Sequence, residues 1–219
     1  MQKVYDEHKF CFIICTNNDD YLQECLLYLN MLKIPKGYEV DILTIVDADS
    51  MASGYNEGMN CSDARYKIYM HQDTFIREKL FLFKILEIFK SDVSIGMIGM
   101  VGAPKLSRDA VMWNGKRCGN LYKVDHREIE LIEEKWQEVD VVDGLLMATK
   151  EDITWREDIL KDWDFYDVSQ CLEFKRAGYK VIVPRQDEAW TIHLCGIPQF
   201  WKYEKNRKII IENYPEIQE

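Results

Sequence analysis

The apolar positions at the start of the chain switch between strand-like and helix-like spacing. Residues 10–15 read FCFIIC, a continuous apolar run typical of a strand that is buried on both faces. Leucine and cysteine then recur at helical spacing over 22–32, until Pro35 and Gly37 end the predicted helix. A second strand is predicted over 40–46. Such a strand–helix–strand unit places both of its polar loops at the same edge of a sheet.

The same alternation continues to the end of the chain. We predict a short helix over 50–61, a strand that ends at Asp73, a buried helix over 78–90, strands over 95–101 and 139–149, a helix over 168–177, short strands over 180–183 and 189–193, and a closing helix over 200–213. Residues 103–135 are the least regular part, and we expect a loop that contains a hairpin. This loop is either a lid over a binding site or simply a solvent-exposed loop. The chain has no internal repeat and no linker composition, so residues 1–219 predict a single α/β domain with a mostly parallel central sheet flanked by helices.

The balance of charge bears on the partners of the protein. The formal net charge is -10 and the pI is about 5.0, whereas proteins that bind a nucleic-acid backbone present a basic face. We therefore expect no nucleic acid as the main partner. Nucleotides stay candidates, because metals and backbone amides can hold them.

The cysteines and the apolar runs bear on the compartment. Seven cysteines, an odd number without CxxC spacing, are spread along the chain: Cys11, Cys15, Cys25, Cys61, Cys118, Cys171 and Cys195. We interpret them as reduced, mostly buried thiols of a cytoplasmic protein, and we expect no zinc site. The chain opens without an apolar signal core and holds no apolar run of about 18 residues, so we expect no transmembrane segment. Attachment to a membrane surface through a partner is left open.

The strand that ends at Asp73 carries the first candidate for chemistry. Residues 65–76 read RYKIYMHQDTFI, and their alternation predicts a strand that runs into His71-Gln72-Asp73. An unpaired buried carboxylate is costly, so Asp73 needs a cation, a hydrogen-bond donor or water. Ligands of open α/β sheets bind at the carboxyl ends of the strands. We interpret Asp73 as a metal or phosphate-site residue; the alternative is a polar strand end where Thr74 caps the next helix.

Other polar side chains also stand where predicted strands end. They are Thr16, Asn17, Asp47, Asp49, Asp143 and His193, and Asp167 precedes a predicted helix. The chain has no GxGxxG fingerprint, no P-loop and no nucleophile elbow. An acidic constellation with one histidine suits a divalent metal bound to phosphate oxygens, together with a carboxylate that acts as a base.

Several motifs in a fixed order point to a family. They read FIICTNN, VDADSMASGYNEGM, MHQDTF, VVDGLLMATK, DFYDVSQCLEFKRAGYKVIVP and WTIHLCG, and they cover about residues 10–196. In these motifs the chain resembles the inverting family-2 glycosyltransferases of the GT-A fold, and among them a branch named after a streptomycin-biosynthesis protein. The resemblance implies a nucleotide-binding half over about 10–101 and an acceptor-side half over about 102–219.

The resemblance implies a set of residues that bind the donor. Thr16 and Asn17 stand where the first strand meets the nucleotide. Asp47 stands where a carboxylate commonly contacts the base or the ribose. Asn56 matches an asparagine of the helix before the metal-binding strand. The segment His71-Gln72-Asp73 occupies the position of the family's DxD motif, with Gln72 as its middle residue. These residues are expected to bind the nucleotide-sugar donor.

The resemblance also implies a metal site and a catalytic pair. Asp73 is the last residue at the position of the DxD motif and would bind Mn²⁺ or Mg²⁺ together with the donor diphosphate. His193 matches a histidine near the C-terminal end of the family pattern that lies close to that metal. Asp143 matches an acidic residue near the donor sugar or the acceptor. Asp167 matches the second acid of an "ED" pair, the usual general base.

The chain departs from the family pattern at two places. The segment at the position of the DxD motif has lost its first carboxylate, so the metal site is expected to be either weak or dependent on oxygens of the donor. The "ED" pair reads Tyr166-Asp167, and Ser169 replaces a following acid, which makes the base assignment less direct.

Each candidate also has an ordinary structural alternative. Asp47 could cap the segment after it, and Asp143 could pair with a lysine or arginine inside the fold. Asp167 could be the N-cap of the helix predicted from Val168, and His193 could be a hydrogen-bonded core histidine. One group of tryptophans suits the core better than a sugar-stacking platform: Trp155, Trp163, Trp190 and Trp201.

The mechanism implied is direct displacement at the anomeric carbon by an acceptor hydroxyl, with a metal that offsets charge on the leaving diphosphate and one carboxylate base. The acceptor would be a sugar or glycan; a lipid-linked acceptor and a homo-oligomer are left open. A binding module of the same fold, without transfer, is the alternative, and a nucleotidyltransferase would lack its Gly-rich triphosphate loop.

Overall fold

The computed structural model of the protein describes residues 3–123, 127–130, 132–194 and 200–218. The strands within these ranges are β1 (Asp6–Thr16), β2 (Glu39–Val46), β3 (Ala64–His71), β4 (Thr74–Ile76), β5 (Ile95–Gly99), β6 (Val101–Ala103), β7 (Cys118–Lys123), β8 (Arg127–Glu130), β9 (Trp136–Glu138), β10 (Val141–Val142), β11 (Leu146–Thr149), β12 (Lys180–Pro184) and β13 (Thr191–His193). The helices are α1 (Asp19–Asn30), α2 (Met51–Cys61), α3 (Phe81–Ser91), α4 (Tyr166–Arg176) and α5 (Phe200–Asn213), with short 3-10 helices at Met112–Asn114 and Pro215–Gln218.

A seven-stranded sheet forms the centre, in the order β2-β1-β3-β11-β5-β12-β9. β1 runs parallel to β2 and β3, and β12 runs parallel to β5. β11 is antiparallel to both of its neighbours, and β9 is antiparallel to β12. The α/β class with helices on both faces is confirmed, and the sheet is mostly parallel, because β1, β2, β3, β5 and β12 all run in the same direction. It is nevertheless mixed, since β11, between β3 and β5, and β9 at the edge run in the opposite direction.

The apolar run of β1 explains why helices cover both faces. The even-numbered residues from Phe10 to Ile14 enter one apolar core with residues of α1 and α3. The odd-numbered residues from Cys11 to Cys15 enter a second core with residues of α2, α4 and α5. All six side chains are at most 5% exposed, as expected for a strand buried on both faces.

A second sheet lies across the carboxyl edge of the first, in the order β10-β6-β7-β13-β4, with β8 paired to β7. Within the described residues the chain crosses between the two sheets four times with at most three residues between the strands, from β3 to β4, from β5 to β6, from β9 to β10 and from β10 to β11. The single strands predicted over 95–101 and 139–149 are therefore wrong, because each is two strands in different sheets. Gly99 permits one crossing, since a Cβ there would lie 2.4 Å from the Cβ of Val142.

The remaining sequence predictions can be checked briefly. The hairpin expected within 103–135 is present as antiparallel β7 and β8, and residues 124–126 and 131 lie outside the described ranges. The six described cysteines are reduced and all but Cys61 are buried, while Cys195 lies outside those ranges. No helix in the described parts of the chain is both long and apolar enough to cross a bilayer.

A buried lysine stabilises the start of β3. Lys67 is fully buried, and its ammonium contacts Asp152 at 2.8 Å and donates to the carbonyl of Ala64 at 2.6 Å. Lys3 contacts the same carboxylate at 2.8 Å, but the Lys3 side chain is 33% exposed. Burial lowers the pKa of Lys67, and the carboxylate of Asp152 opposes that shift.

Replacing Asp152 with alanine should leave the Lys67 charge buried without its carboxylate. We expect a loss of about 3 kcal/mol in the free energy of unfolding, as for other broken buried ion pairs. Urea unfolding at pH 7 measures it. The control is Lys3→Ala, which removes a half-exposed partner of the same carboxylate and should cost under about 1 kcal/mol. Equal losses for the two variants would contradict this account.

Candidate active site

Three parallel strands bring the predicted donor residues to one edge of the central sheet. Thr16 at the end of β1 aligns with Val46 of β2, and Cys15 aligns with His71 of β3. Thr16, Asp47 and Asp73 therefore lie at the same carboxyl edge, as the sequence predicted. Asp47 is exposed and adopts a left-handed conformation with a φ of 55°. The N-cap of α2 is Ser50, whose side chain accepts from the amide of Ser53, so Asp47 does not cap that helix.

Gln72 binds the loop that follows β1. Its Oε1 accepts from the Thr16 hydroxyl at 2.8 Å and from the backbone amides of Asn17 and Asn18, both at 3.0 Å. Its Nε2 donates to Oδ1 of Asn17 at 2.7 Å. Three residues predicted to contact the donor thus bind one another. This network fixes the loop at the end of β1 against the end of β3.

Asn56 is placed differently from the other predicted donor residues. It is 5% exposed in α2, and both ends of its amide are bonded to the main chain of one residue, Trp155. Nδ2 donates to the carbonyl of Trp155 and Oδ1 accepts from its amide, each at 2.9 Å. These contacts favour a structural role for Asn56, which ties α2 to the segment before α4.

Two histidines and one aspartate meet where β3 passes into β4. Nδ1 of His71 lies 3.3 Å from Nε2 of His193 and 3.9 Å from Oδ1 of Asp73. Nε2 of His193 lies 3.4 Å from the same carboxylate oxygen. The pairing of β13 with β4 holds this arrangement, because His193 aligns with Thr74 and the amide of Leu194 donates to the carbonyl of Asp73 at 3.0 Å. The structure thus brings the two predicted metal ligands together.

His71 is the member of this cluster that the sequence interpretation missed. It stands two residues before Asp73, in the position where a DxD motif has its first carboxylate. The signal was present, because an imidazole is a metal ligand in the same way as the missing carboxylate. Burial, and then the nearby His193, lower the pKa of His71 to about 4. The His71 ring is therefore neutral at pH 7, which is the state that binds a metal.

The cluster fits a divalent metal. The three ligand atoms lie within 4.8 Å of one another. Ligand atoms at right angles and about 2.1 Å from one ion lie about 3.0 Å apart, so small side-chain shifts would bring this triangle into place. Burial alone would raise the pKa of Asp73, but the hydrogen bond and charge of His193 bring it below its usual value. Three ligands on one side leave the other positions of an ion to oxygens of a diphosphate.

A pair of carboxylates lies on the other side of His71. Oδ1 of Asp143 accepts from the amide of Leu145 at 2.9 Å. Asp167 accepts from the amides of Gly144 at 3.0 Å and Val168 at 2.8 Å. Burial, and then the charge of Asp143, raise the pKa of Asp167 to about 7. Within the described residues no lysine or arginine forms an ion pair with Asp143, so the buried-pair alternative finds no support there.

The start of α4 differs from the prediction by two residues. The helix begins at Tyr166, and Phe165 occupies the N-cap in a left-handed conformation with a φ of 64°. Asp167 therefore lies in the first turn and is not the N-cap. The hydroxyl of Tyr166 hydrogen bonds Nε2 of His71, which connects the turn that carries Asp167 to the metal cluster.

The histidines and both carboxylates open onto one cavity of about 490 Å³. Its polar lining includes His71, Asp143, Asp164, Asp167 and His193. The aromatic part of its wall comes from two separate segments and α5: Trp113, Trp163, Phe165, Tyr166 and Tyr203. A larger cavity of about 550 Å³ lies beside the ion pair of Asp140 and Lys175 and contains none of the candidate residues. We therefore take the smaller cavity as the candidate active site.

Known proteins share features of this sequence and of this fold. The sequence matches the profile of the Glycosyltransferase like family over residues 11–214, while no curated protein was found to match it. Its fold is similar to S. aureus TarS, with a TM-score of 0.63 and 14% identity over 94% of this chain and 40% of that one. It is also similar to the mannosyltransferase PcManGT from Pyrobaculum calidifontis in complex with GDP-Man and Mn²⁺, with a TM-score of 0.61 and 11% identity over 98% and 65% of the two chains.

A third similar structure is the catalytic domain of Drosophila beta1,4galactosyltransferase 7 in complex with xylobiose, with a TM-score of 0.56 and 15% identity over 86% of this chain and 71% of that one. The chain thus spans 40% of TarS and 65% of the mannosyltransferase. At such low identity these likenesses show a shared fold alone. The family profile, however, covers nearly the whole chain, so the protein belongs to the glycosyltransferase-like family and has the GT-A fold.

Proposed function

We propose that the protein transfers a sugar from a nucleoside-diphosphate sugar to a hydroxyl of a saccharide acceptor, with inversion and with the help of a divalent metal. The observation that carries the proposal is the shared cavity, onto which the two histidines of the candidate metal cluster and a carboxylate with a pKa of about 7 open together. The ordered motifs further support membership of the streptomycin-biosynthesis-protein-like branch. Structures with a similar fold hold nucleotide sugars with Mn²⁺, in one case together with xylobiose.

The metal would be held by His71, Asp73 and His193. When bound, it supplies positive charge beside the leaving diphosphate. The neutral ring of His71 keeps a lone pair free for it at pH 7. The nucleotide would lie along the carboxyl edge of β1 and β2, where Asp47 is exposed and the loop of Thr16 is fixed by Gln72.

Asp167 is the proposed general base. As the acceptor oxygen forms its bond to the anomeric carbon, the bond from that carbon to the diphosphate oxygen breaks, and the hydroxyl proton passes to the Asp167 carboxylate. The backbone amides of Gly144 and Val168 hold that carboxylate in place. Asp143 tunes its basicity, because a second negative charge nearby raises the pKa of Asp167.

The aromatic wall suits a saccharide acceptor. Trp113 and Trp163 line the cavity and are 40% and 43% exposed, so both can contact a ligand. The cationic groups of Arg117 and Lys123 lie 5.4 Å and 5.1 Å from the centre of the Trp113 ring. Flat apolar surfaces beside carboxylates match a sugar ring, which has apolar C–H faces and hydroxyl donors at its edge. The prediction that four tryptophans belong to the core is confirmed for Trp155 and Trp190, which are at most 5% exposed, and is wrong for Trp163 and Trp201, which are 43% and 70% exposed.

Release of nucleoside diphosphate tests the proposal directly. UDP- and GDP-sugars are incubated with the protein, Mn²⁺ and a panel of saccharides, and both products are measured. We expect release that depends on one donor and one acceptor class. A donor that raises the unfolding temperature but is never consumed would instead indicate a binding module of the same fold.

The ligand set predicts which metal the protein prefers. Mg²⁺ selects oxygen ligands, whereas Mn²⁺ also accepts imidazoles, of which this site has two. We expect UDP or GDP to bind at least roughly tenfold more tightly with Mn²⁺ than with Mg²⁺. The substitution His71→Asp restores a carboxylate and should reduce the ratio between the affinities measured with Mn²⁺ and with Mg²⁺. Calorimetry with each metal measures it, and His8→Asp, at an exposed histidine of β1, is the control. An unchanged ratio in His71→Asp would contradict the assignment of His71.

A further inference from the structure

Tyr166 makes a contact that the proposed reaction does not by itself require. It is the first residue of α4, it is 4% exposed, and its hydroxyl hydrogen bonds Nε2 of His71. The main chain makes room for this hydroxyl at Gly144. A Cβ built there would lie 2.2 Å from the Tyr166 hydroxyl oxygen and 2.6 Å from the ring carbon that bears it. The contact between Tyr166 and His71 therefore depends on a glycine beside the active-site carboxylates.

The Tyr166 ring is also fixed from its other sides. The ring centres of Tyr55 and Trp155 lie 5.8 Å and 6.1 Å from it, at interplanar angles of 76° and 45°. Tyr55 and Trp155 are themselves at most 1% exposed. An aromatic ring packed in this way has little freedom to rotate or withdraw. Its hydroxyl thus presents a fixed point to the imidazole of His71.

The two nitrogens of His71 face different partners. Nδ1 points to the other two members of the metal cluster, 3.3 Å from Nε2 of His193 and 3.9 Å from Oδ1 of Asp73. Nε2 points to Tyr166. In a neutral imidazole one nitrogen carries the proton and the other has the lone pair that binds metal. An acceptor at Nε2 holds the proton there and leaves Nδ1 to the ion.

We propose that Tyr166 is a positioning residue that accepts a hydrogen bond from Nε2–H of His71 and so holds the imidazole in the tautomer and orientation in which Nδ1 binds the metal. The inference rests on the metal site of the proposed function and adds to it a residue that is not itself a metal ligand. Because Asp167 is the next residue of the same helical turn, the metal ligand and the proposed base are held by one rigid element.

The test compares two tyrosine-to-phenylalanine variants. Tyr166→Phe removes the hydroxyl that contacts His71. Tyr55→Phe is the matched control, because Tyr55 is equally buried, packs against Tyr166, and has a hydroxyl without a hydrogen-bond partner in the structure. Free Mn²⁺ is counted by electron paramagnetic resonance during titration of each metal-free protein with Mn²⁺ alone. We expect affinity to fall about 10–100-fold in Tyr166→Phe, the usual effect of losing the partner of a metal-bound histidine, and to stay at the wild-type value in Tyr55→Phe.

A second measurement keeps the proposal testable if Tyr166→Phe folds poorly. Nitrogen-15 spectra of the metal-free wild-type protein at pH 7 report which nitrogen of His71 carries the proton. We expect the proton on Nε2 in wild type and Tyr55→Phe, and a mixture of tautomers in Tyr166→Phe. A wild-type proton on Nδ1, or unchanged Mn²⁺ affinity in a folded Tyr166→Phe, would overturn the proposal. Neither readout uses sugar transfer, so failure of the proposed activity would be seen separately.

Discussion

Replacing Asp167 with asparagine is expected to lower the rate of sugar transfer by about 10²–10⁴-fold, the usual contribution of a general base. Asparagine keeps the size of the side chain but cannot take up the acceptor proton. Binding of the nucleoside diphosphate should be unchanged, because the proposed donor contacts lie on the other side of His71. Initial rates with saturating donor, and calorimetry with UDP or GDP and Mn²⁺, measure the two effects.

The control for this variant is Asp164→Asn, which changes a carboxylate that lines the same cavity. We expect it to keep most of the activity. If Asp164→Asn is the inactive variant and Asp167→Asn transfers sugar at the wild-type rate, then Asp164 is the base. The carboxylate of Asp167 would in that case serve the start of α4 alone.

The pKa of Asp167 adds a pH profile to the same prediction. A base must be ionised, so transfer should rise as pH increases through about 7 and then level off. Asp143→Asn removes a charge that raises this pKa, and the rise should move to lower pH. The effect on stability has the opposite sign. Because the folded pKa lies above the unfolded one, the folded state binds more protons, and its stability should fall as pH rises from about 4 to 7.

Replacing Asp73 with alanine is expected to abolish the gain in diphosphate affinity that Mn²⁺ provides. Asp73 is the one carboxylate of the metal cluster, and the two imidazoles that remain carry no negative charge to offset that of the ion. We expect UDP or GDP to bind the wild-type protein at least roughly 100-fold more tightly with Mn²⁺ than without, and Asp73→Ala to bind equally in both conditions. Calorimetry in Mn²⁺ and in a chelator measures this.

The control for Asp73→Ala is Asp49→Ala, an exposed carboxylate in the loop after β2. It changes the overall charge by the same amount but lies outside the metal cluster. A metal-dependent gain that survives in Asp73→Ala would show that donor oxygens and the histidines suffice. Loss of the gain in both variants would point to general electrostatics, because the protein carries a net charge of -10.

The sequence predicted the parts of the fold that depend on local pattern. The run from Phe10 to Cys15 implied a strand covered on both faces, and the polar residues after each strand implied a shared edge. The crossings between the sheets were not predictable in this way. Residues 139–149 are apolar except at Asp140, Asp143, Gly144 and Thr149, and their spacing does not show that the chain changes sheet partners at Asp143.

The sequence predicted which types of residue form the candidate site, but it did not predict which groups each side chain contacts. Asp73 and His193 were expected near one metal, and they lie 3.4 Å apart. Gln72 and Asn56 were expected to face the donor, yet Gln72 binds the loop after β1 and Asn56 binds the main chain of Trp155. A side-chain amide reaches whichever donor and acceptor the tertiary fold brings within about 3 Å, and a motif does not state which.

The direct passages between the two sheets have a consequence for engineering the acceptor range. The proposed metal ligands lie at or beside the passage from β3 to β4, and the ends of that passage are held by strand pairing in both sheets. The aromatic wall comes instead from 110–113, from 163–166 and from Tyr203 of α5, none of which belongs to a strand. Libraries that vary Trp113 and Trp163 should therefore yield enzymes with new acceptors and an unaltered requirement for the donor and the metal. Variation at Gly144 should abolish activity for every acceptor, because a side chain there displaces Tyr166.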